Sequence, residues 1–314
     1  MTDITTIGEI LIDLTQTGVN GAGIPQYDAN PGGAPANVAV AASRLGASTA
    51  FWGKAGEDGL GAYLRRVLEE GGVNCAGLLA GRQATTMAIV SVDADGERDF
   101  RFVRGADQEL TPQEVDEAAV RSSRILHFGS VSLTPGLARN ATIFAARTAH
   151  KNGRVVSYDP NYRPALWASR ADAVEWMRLP LPLVDIIKLS EEELPLVTDL
   201  SDPEAGSALL ARQGIRLVMV TLGSRGVLCR WQGETWRQDG VAVKVADTNG
   251  AGDTFLAAVL SRLCRRTPEN PLEDLTRGEL EDILAFANRA AAITCSRSGA
   301  IPAMPTLEEV EAMA

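Results

Sequence analysis

From Arg124 onward the chain alternates short apolar runs with amphipathic segments of helical period, and no other feature limits its possible folds so sharply. The run Arg124–Leu133 (RILHFGSVSL) precedes a helical pattern near Leu137–Lys151, and Arg154–Arg163 (RVVSYDPNYR) follows it. Repeated strand-helix units need crossover connections, which place helices on both faces of a largely parallel sheet. Earlier segments extend the pattern. Thr5–Leu14 (TTIGEILIDL) reads as a first, mostly buried strand, Thr49–Lys54 as a second, and Asp58–Glu70 as an amphipathic helix closed by Gly71 and Gly72. At 314 residues and 45% hydrophobic composition, the chain can build one large α/β domain over its whole length, 1–314.

Two segments stand outside this alternation. Thr85–Val92 and Arg98–Val103 read as strands around an Asp93-Ala94-Asp95-Gly96 turn, with Phe100 and Phe102 in alternation. A pair of strands is not stable alone, so a third segment, from about Leu14 to Asn30, is expected to join them in a small sheet.

Charge and residue usage narrow the chemistry. A formal net charge of −10 and no Lys/Arg block argue against nucleic-acid binding. The stretch Met1–Asn30 carries Asp3, Glu9, Asp13, Gln16 and Asn20, unlike a signal peptide, and no apolar run approaches a membrane span; a soluble cytoplasmic enzyme is expected. Cys75, Cys229, Cys264 and Cys295 are scattered, and only His127 and His150 could complete a metal site, which leaves little for zinc hydrolysis or a Ser-His-Asp triad. Neither G-x-G-x-x-G nor G-x-x-x-x-G-K-[ST] occurs.

The chemically pointed stretch is Asp247-Thr-Asn-Gly-Ala-Gly-Asp-Thr-Phe255, followed by Leu256, Ala257, Val259, Leu260 and Leu263 at helical offsets. This puts Gly250, Ala251 and Gly252 at a helix start, where unpaired N–H groups and the helix dipole favour an anion. Asp253 sits in the same turn. It is either an ordinary acidic residue of a first helical turn or a general base working beside the anion. Asp13, near the end of the first strand, is likewise either a solvated strand-end acid or a ligand for hydroxyl groups.

The nine residues closely resemble the D-T-x-G-A-G-D-x-F pattern of the ribokinase-like (PfkB) carbohydrate kinases. That resemblance implies a three-layer α/β sandwich with a mostly parallel sheet, helices on both faces and a small β lid formed by about 14–31 and 84–106. It makes Asp253 the catalytic base and Gly250, Ala251 and Gly252 the anion hole. The segment Gly32-Gly33-Ala-Pro-Ala-Asn37-Val-Ala resembles the sugar motif of the fructokinase branch, and assigns Gly32, Gly33 and Asn37, with Asp13, to the sugar. Phe100, Phe102 and Arg104 would reach the sugar from the lid.

Further segments extend the likeness from Gly8 to Pro305. Asp159-Pro-Asn161-Tyr-Arg163-Pro-Ala-Leu-Trp167 is similar to a D-P-N-x-R-x-x-L-W segment, with Arg163 neutralising the transferred phosphoryl group. Glu193 matches the Glu of an N-x-x-E motif that orders magnesium through water, although Ser190 stands where Asn is usual. Thr221, Gly223 and Gly226 fit a T-x-G-x-x-G nucleotide loop; Lys188 is assigned to the nucleotide and Asn288 to a position near adenine. Asp247, Asn249, Thr294, Arg297 and Gly299 correspond to a backbone cradle for potassium. The implied activity is ATP- and Mg²⁺-dependent phosphorylation of fructose. Kinases of 2-keto-3-deoxygluconate, ribose or a riboside are close rivals, and a sugar-binding sensor that no longer turns over is a more distant one. An exposed lid edge points to a homodimer.

Overall fold

A computed structural model describes residues 2–92, 98–266 and 270–313. The strands, in chain order, are β1 (Ile4–Ile7), β2 (Leu11–Val19), β3 (Pro25–Gly32), β4 (Thr49–Gly56), β5 (Asn74–Gly81), β6 (Met87–Val92), β7 (Arg98–Val103), β8 (Ile125–Gly129), β9 (Val155–Asp159), β10 (Ile186–Ser190), β11 (Leu217–Thr221), β12 (Val227–Trp231) and β13 (Glu234–Gln238). Nine of them form one sheet in the order β13-β12-β11-β10-β9-β8-β1-β4-β5. Pairing is parallel from β5 through to β11 and antiparallel for β12 and β13.

Side-chain alternation along these strands builds the layers. In β11, Leu217 and Met219 enter one apolar cluster while Val218 and Val220 enter the other; in β8, Ile125 and Leu126 divide the same way. Both faces of the sheet are therefore covered. The helices Ala251–Arg266 and Arg277–Cys295 pack on the first face, and Leu137–Lys151 on the second. Each buried Leu or Val contributes about 1.5–3 kcal/mol.

The expected single strand Thr5–Leu14 is divided. β1 ends at Ile7, and β2, starting at Leu11, belongs to a different sheet. The break falls at Gly8, whose φ is +152° and where a Cβ would lie 2.6 Å from Pro35 Cγ. The helix Ala34–Arg44 thus packs too close for any side chain there, and the chain leaves the large sheet. Asp13 consequently stands in β2, opposite Asn30 of β3, rather than near the end of a large-sheet strand.

The small sheet has the order β3-β2-β6-β7, with β2 parallel to β6 and the outer pairs antiparallel. Its strands span 11–32 and 87–103, close to the expected lid; the Asp93–Gly96 turn lies outside the described residues. The far end of the β2–β3 hairpin exposes Val19, Ile24 and Tyr27. The helix Arg277–Cys295 begins where it does because Thr276 and Glu279 form a reciprocal cap. No helix among the described residues is long and apolar enough to cross a membrane.

Candidate active site

A cavity of about 570 Å³ opens between the large sheet and the small one, and its walls include Asp13, Asn37, Phe102, Arg163, Gly250 and Asp253. Six residues from five separate stretches of sequence thus meet at one place. Asp247, Asn249, Gly299 and Gly33 also line it, as do Glu9 and Asn161, neither of which the sequence had placed in the site.

Asp253 lies in the first turn of the Ala251–Arg266 helix and is 7% exposed. Asn37 Nδ2, from the helix Ala34–Arg44, donates to its Oδ2 at 2.8 Å, and Asn161 Nδ2 stands 3.5 Å from its Oδ1. Burial foremost, and then the nearby Asp159 carboxylate, raise its pKa to about 6; Asn37, Lys188 and Arg163 pull the other way. At neutral pH it is therefore a mostly ionised carboxylate with appreciable proton affinity, the condition a general base needs.

The helix start beside it offers hydrogen-bond donors. Ala251 N–H turns to the Thr248 carbonyl at 3.3 Å and Thr254 N–H to that of Gly250 at 2.8 Å, while the Gly252 and Asp253 N–H groups meet no acceptor among the described residues. Gly250 has φ +75°. At Gly252 a Cβ would lie 2.8 Å from Lys188 Nζ. Lys188 is buried, does not line the cavity, and donates to Asp159 Oδ2 at 2.8 Å. Burial works to lower the pKa of its amine, but Asp159 and Glu193 hold it above the ordinary value, so a cation sits directly under the helix start. These groups suit a phosphate.

On the opposite wall, Asp13 is also raised to about 6, by burial first, against the pull of Arg163. Gly32 backs it: a Cβ there would lie 2.5 Å from Asp13 Oδ2. Gly33, at φ +109°, would place a Cβ 2.6 Å from the Glu9 carbonyl oxygen. Phe102 is half-buried and lines the cavity; Phe100 pairs through its backbone with Val90, and its side chain lies outside the described residues. Arg104 does not line the cavity as expected. The buried Asp107 carboxylate takes its guanidinium at 2.6 Å, and a second arm donates to Thr134 at 2.9 Å.

Of the remaining assigned residues, Arg163, Asp247, Asn249 and Gly299 line the cavity and the others stand around it. Arg163 is exposed at the cavity wall, where it lowers the pKa of both Asp13 and Asp253. Glu193 accepts Tyr162 N–H at 2.6 Å and Ser190 N–H at 2.8 Å, tying the loop that carries Asn161 and Arg163 to the end of β10. Its oxygens each retain a lone pair, which fits a water-mediated magnesium. Thr221 ends β11, and Gly223 and Gly226, at φ +61° and +87°, shape the turn into β12. Gly226 abuts Gln238, while Asn288 donates to the Asp239 carbonyl at 2.8 Å, so both border the segment after β13.

Among the residues expected to cradle potassium, Asp247 carboxylate oxygens accept Asn249 N–H at 3.1 Å and Gly299 N–H at 3.2 Å, which brings the two loops together. The carbonyls of Asp247 and Asn249 meet no donor among the described residues, which fits a monovalent cation. The Thr294 carbonyl already accepts Arg297 N–H at 3.2 Å, and the Arg297 side chain pairs with Glu309.

Comparison with known proteins finds relatives over the whole chain. The sequence profile described as pfkB family carbohydrate kinase matches residues 1–307. Fructokinase-1 of Oryza sativa subsp. japonica is 39% identical over 98% of this chain and 96% of its own. A fructokinase from Xylella fastidiosa, crystallised with bound ATP, superposes with a TM-score of 0.92 at 31% identity, covering 100% of this chain and 98% of the other. A double mutant of the fructokinase from Vibrio cholerae O395, bound to fructose, ADP and a potassium ion, gives 0.87 at 31% identity over 99% of this chain and 98% of its own.

Proposed function

Because the chain belongs to the pfkB family of carbohydrate kinases, we propose that it transfers the γ-phosphoryl group of ATP to the primary hydroxyl of D-fructose, giving fructose 6-phosphate and ADP. The observation that carries this reading is the buried Asp253 carboxylate, held by Asn37 at 2.8 Å and adjoining the unpaired N–H groups at the helix start. Asp13, Asn37 and Phe102 receive the sugar and leave its hydroxyl against Asp253. As the oxygen attacks the γ-phosphorus in line, Asp253 takes the hydroxyl proton and the bond from the γ-phosphorus to the ADP oxygen breaks. The Gly252 and Asp253 amides, Arg163 and the Lys188 charge below stabilise the added negative charge.

Glu193 would hold Mg²⁺ through water, and the ion would neutralise the polyphosphate; the Asp247 and Asn249 carbonyls would hold K⁺. Thr221, Gly223, Gly226 and Asn288 border the nucleotide. Closing the small sheet over the sugar excludes water and so protects ATP from hydrolysis.

Four free thiols support a cytoplasmic setting, and the exposed Val19, Ile24 and Tyr27 support pairing of two lids in a homodimer. Light scattering at monomer mass across concentrations refutes the dimer. The activity is tested by ADP release with Mg-ATP against fructose, ribose, 2-keto-3-deoxygluconate, glucose and adenosine. Turnover on fructose is expected, with kcat lowered roughly 10²–10⁴-fold in Asp253→Asn. Retained kcat with only a raised KM in that variant would refute the base.

A further inference from the structure

The strands β6 and β7 leave the large domain and return to it side by side, and one buried carboxylate gathers both ends. Asp107 follows β7 closely and is 3% exposed. Its Oδ1 accepts the hydroxyl of Thr86, the residue before β6, and Nε of Arg104, the residue after β7, at 3.3 Å; its Oδ2 accepts Arg104 Nη2 at 2.6 Å. The strand ends are also tied to each other, since Thr86 Oγ1 accepts the Gly105 N–H at 2.8 Å and the Ala84 carbonyl accepts the Ala106 N–H at 3.0 Å.

A buried ion pair of this kind could serve stability alone. The remaining arm of the guanidinium points further. Arg104 Nη1 donates to Thr134 Oγ1 at 2.9 Å, and that hydroxyl donates to the Val131 carbonyl at 2.6 Å. Val131 and Phe102 are both walls of the sugar cavity, Phe102 standing two residues before Arg104 on the lid and Val131 belonging to the large domain. β7 also packs beside the Pro164–Leu166 turn, which directly follows Arg163. We propose that Asp107 is a positioning residue for the acceptor: by locking Arg104 between itself and Thr134, it sets the spacing of Phe102 from Val131 and so the width of the sugar site.

This inference rests on the kinase reading and adds a residue that no motif marks. Asp107 touches no substrate and acts only through Arg104. The planar guanidinium suits the task because its fork holds a carboxylate and a hydroxyl in fixed directions at once, whereas a lysine is a single point of charge. With the clasp cut, Phe102 keeps its pairing with Ala88 in β6, but the base of the small sheet loses its fixed attachment. The sugar then meets a looser wall, and water reaches the transferring phosphoryl group more easily.

The test compares Asp107→Asn, Arg104→Lys and Thr134→Val, reading kcat, the KM for fructose, the KM for ATP, and ATP hydrolysis in the absence of sugar. In Asp107→Asn the fructose KM should rise roughly tenfold, the equivalent of one charge-assisted hydrogen bond, while the ATP KM holds. Hydrolysis without sugar should rise relative to phosphoryl transfer. Arg104→Lys keeps a cation for Asp107 and loses the tie to Thr134, so it should raise the fructose KM as well; a purely stabilising pair would leave that KM unmoved.

Should Asp107→Asn fold poorly, Arg104→Lys and Thr134→Val carry the test, because both keep the buried carboxylate paired. A fructose KM and a sugar-free hydrolysis rate unchanged in these two variants, or equal rises in the KM values of fructose and ATP, overturn the inference and leave the kinase reading standing. No turnover of any sugar by the unaltered enzyme removes the kinase reading itself.

Discussion

Removing the Asn37 side chain should displace the protonation of the catalytic base, and the size of the effect follows from one hydrogen bond. Asn37 Nδ2 donates to Asp253 Oδ2 at 2.8 Å within a buried site, and this bond favours the ionised carboxylate. Hydrogen bonds to charged groups contribute about 1.5–3 kcal/mol, and 1.36 kcal/mol corresponds to one pKa unit, so its loss raises the Asp253 pKa by roughly one to two units. The sign is fixed because the removed donor stabilised only the charged form. From about 6, the pKa moves to roughly 7–8.

The assay is kcat/KM for fructose between pH 5 and 9, which reports groups of the free enzyme. At pH 7 the base is about nine-tenths ionised in the unaltered enzyme and roughly half to one-tenth ionised in Asn37→Ala, and the deficit disappears toward pH 9. Loss of a sugar contact lowers the whole curve by a constant factor and does not move the limb. Asp13 also has a pKa of about 6, so Asp13→Asn serves as the control and must retain an acid limb. An Asn37→Ala profile whose limb stays near 6 refutes the reasoning, whatever its height.

Two other changes test the ground beneath the helix start. Gly252→Ala puts a Cβ 2.8 Å from Lys188 Nζ, which cannot yield without leaving Asp159, so kcat should fall at least tenfold, measured by ADP release with protein fold checked by circular dichroism. Lys188→Met leaves the buried Asp159 unpaired and should cost about 3–5 kcal/mol in a denaturant titration. The same variant should raise the acid limb of activity, because Lys188 acts to lower the Asp253 pKa.

The layered α/β plan was legible in the sequence because alternating apolar runs and helical periods are local signals. The segment Leu137–Lys151, read from periodicity, is a helix over those bounds. The division of Thr5–Leu14 was not legible. Its apolar pattern continues through Gly8, and the reason to break lies in Pro35, distant in sequence and packed against it. Likewise β13 is short and polar, and it exists because β12 provides a pairing edge.

In the site, Gly33 was assigned to the sugar and Gly252 to the anion hole, and the structure adds what packs against each: the Glu9 backbone and the Lys188 amine. Arg104 was misplaced because the sequence shows a cation near the lid and not the buried Asp107 that captures it. Asn161 was visible only as one residue of the Asp159–Trp167 segment. Its left-handed φ of +42° and its approach to Asp253 belong to the assembled structure. Glu9 carried a signal of its own, an acid within a buried run.

The bond between Asn37 and Asp253 joins residues 216 positions apart, and β1 lies inside the large sheet between β4 and β8. Closing so long a loop is entropically late, since contacts between distant segments form only after the intervening chain has been ordered. A refolding chain will therefore recover most helical circular dichroism before the Ala251–Arg266 helix docks beside the Ala34–Arg44 helix, and phosphoryl transfer will return in the final kinetic phase. During synthesis, the N-terminal half can emerge and compact with its sugar-facing walls in place, yet it remains chemically silent until the last third of the chain arrives.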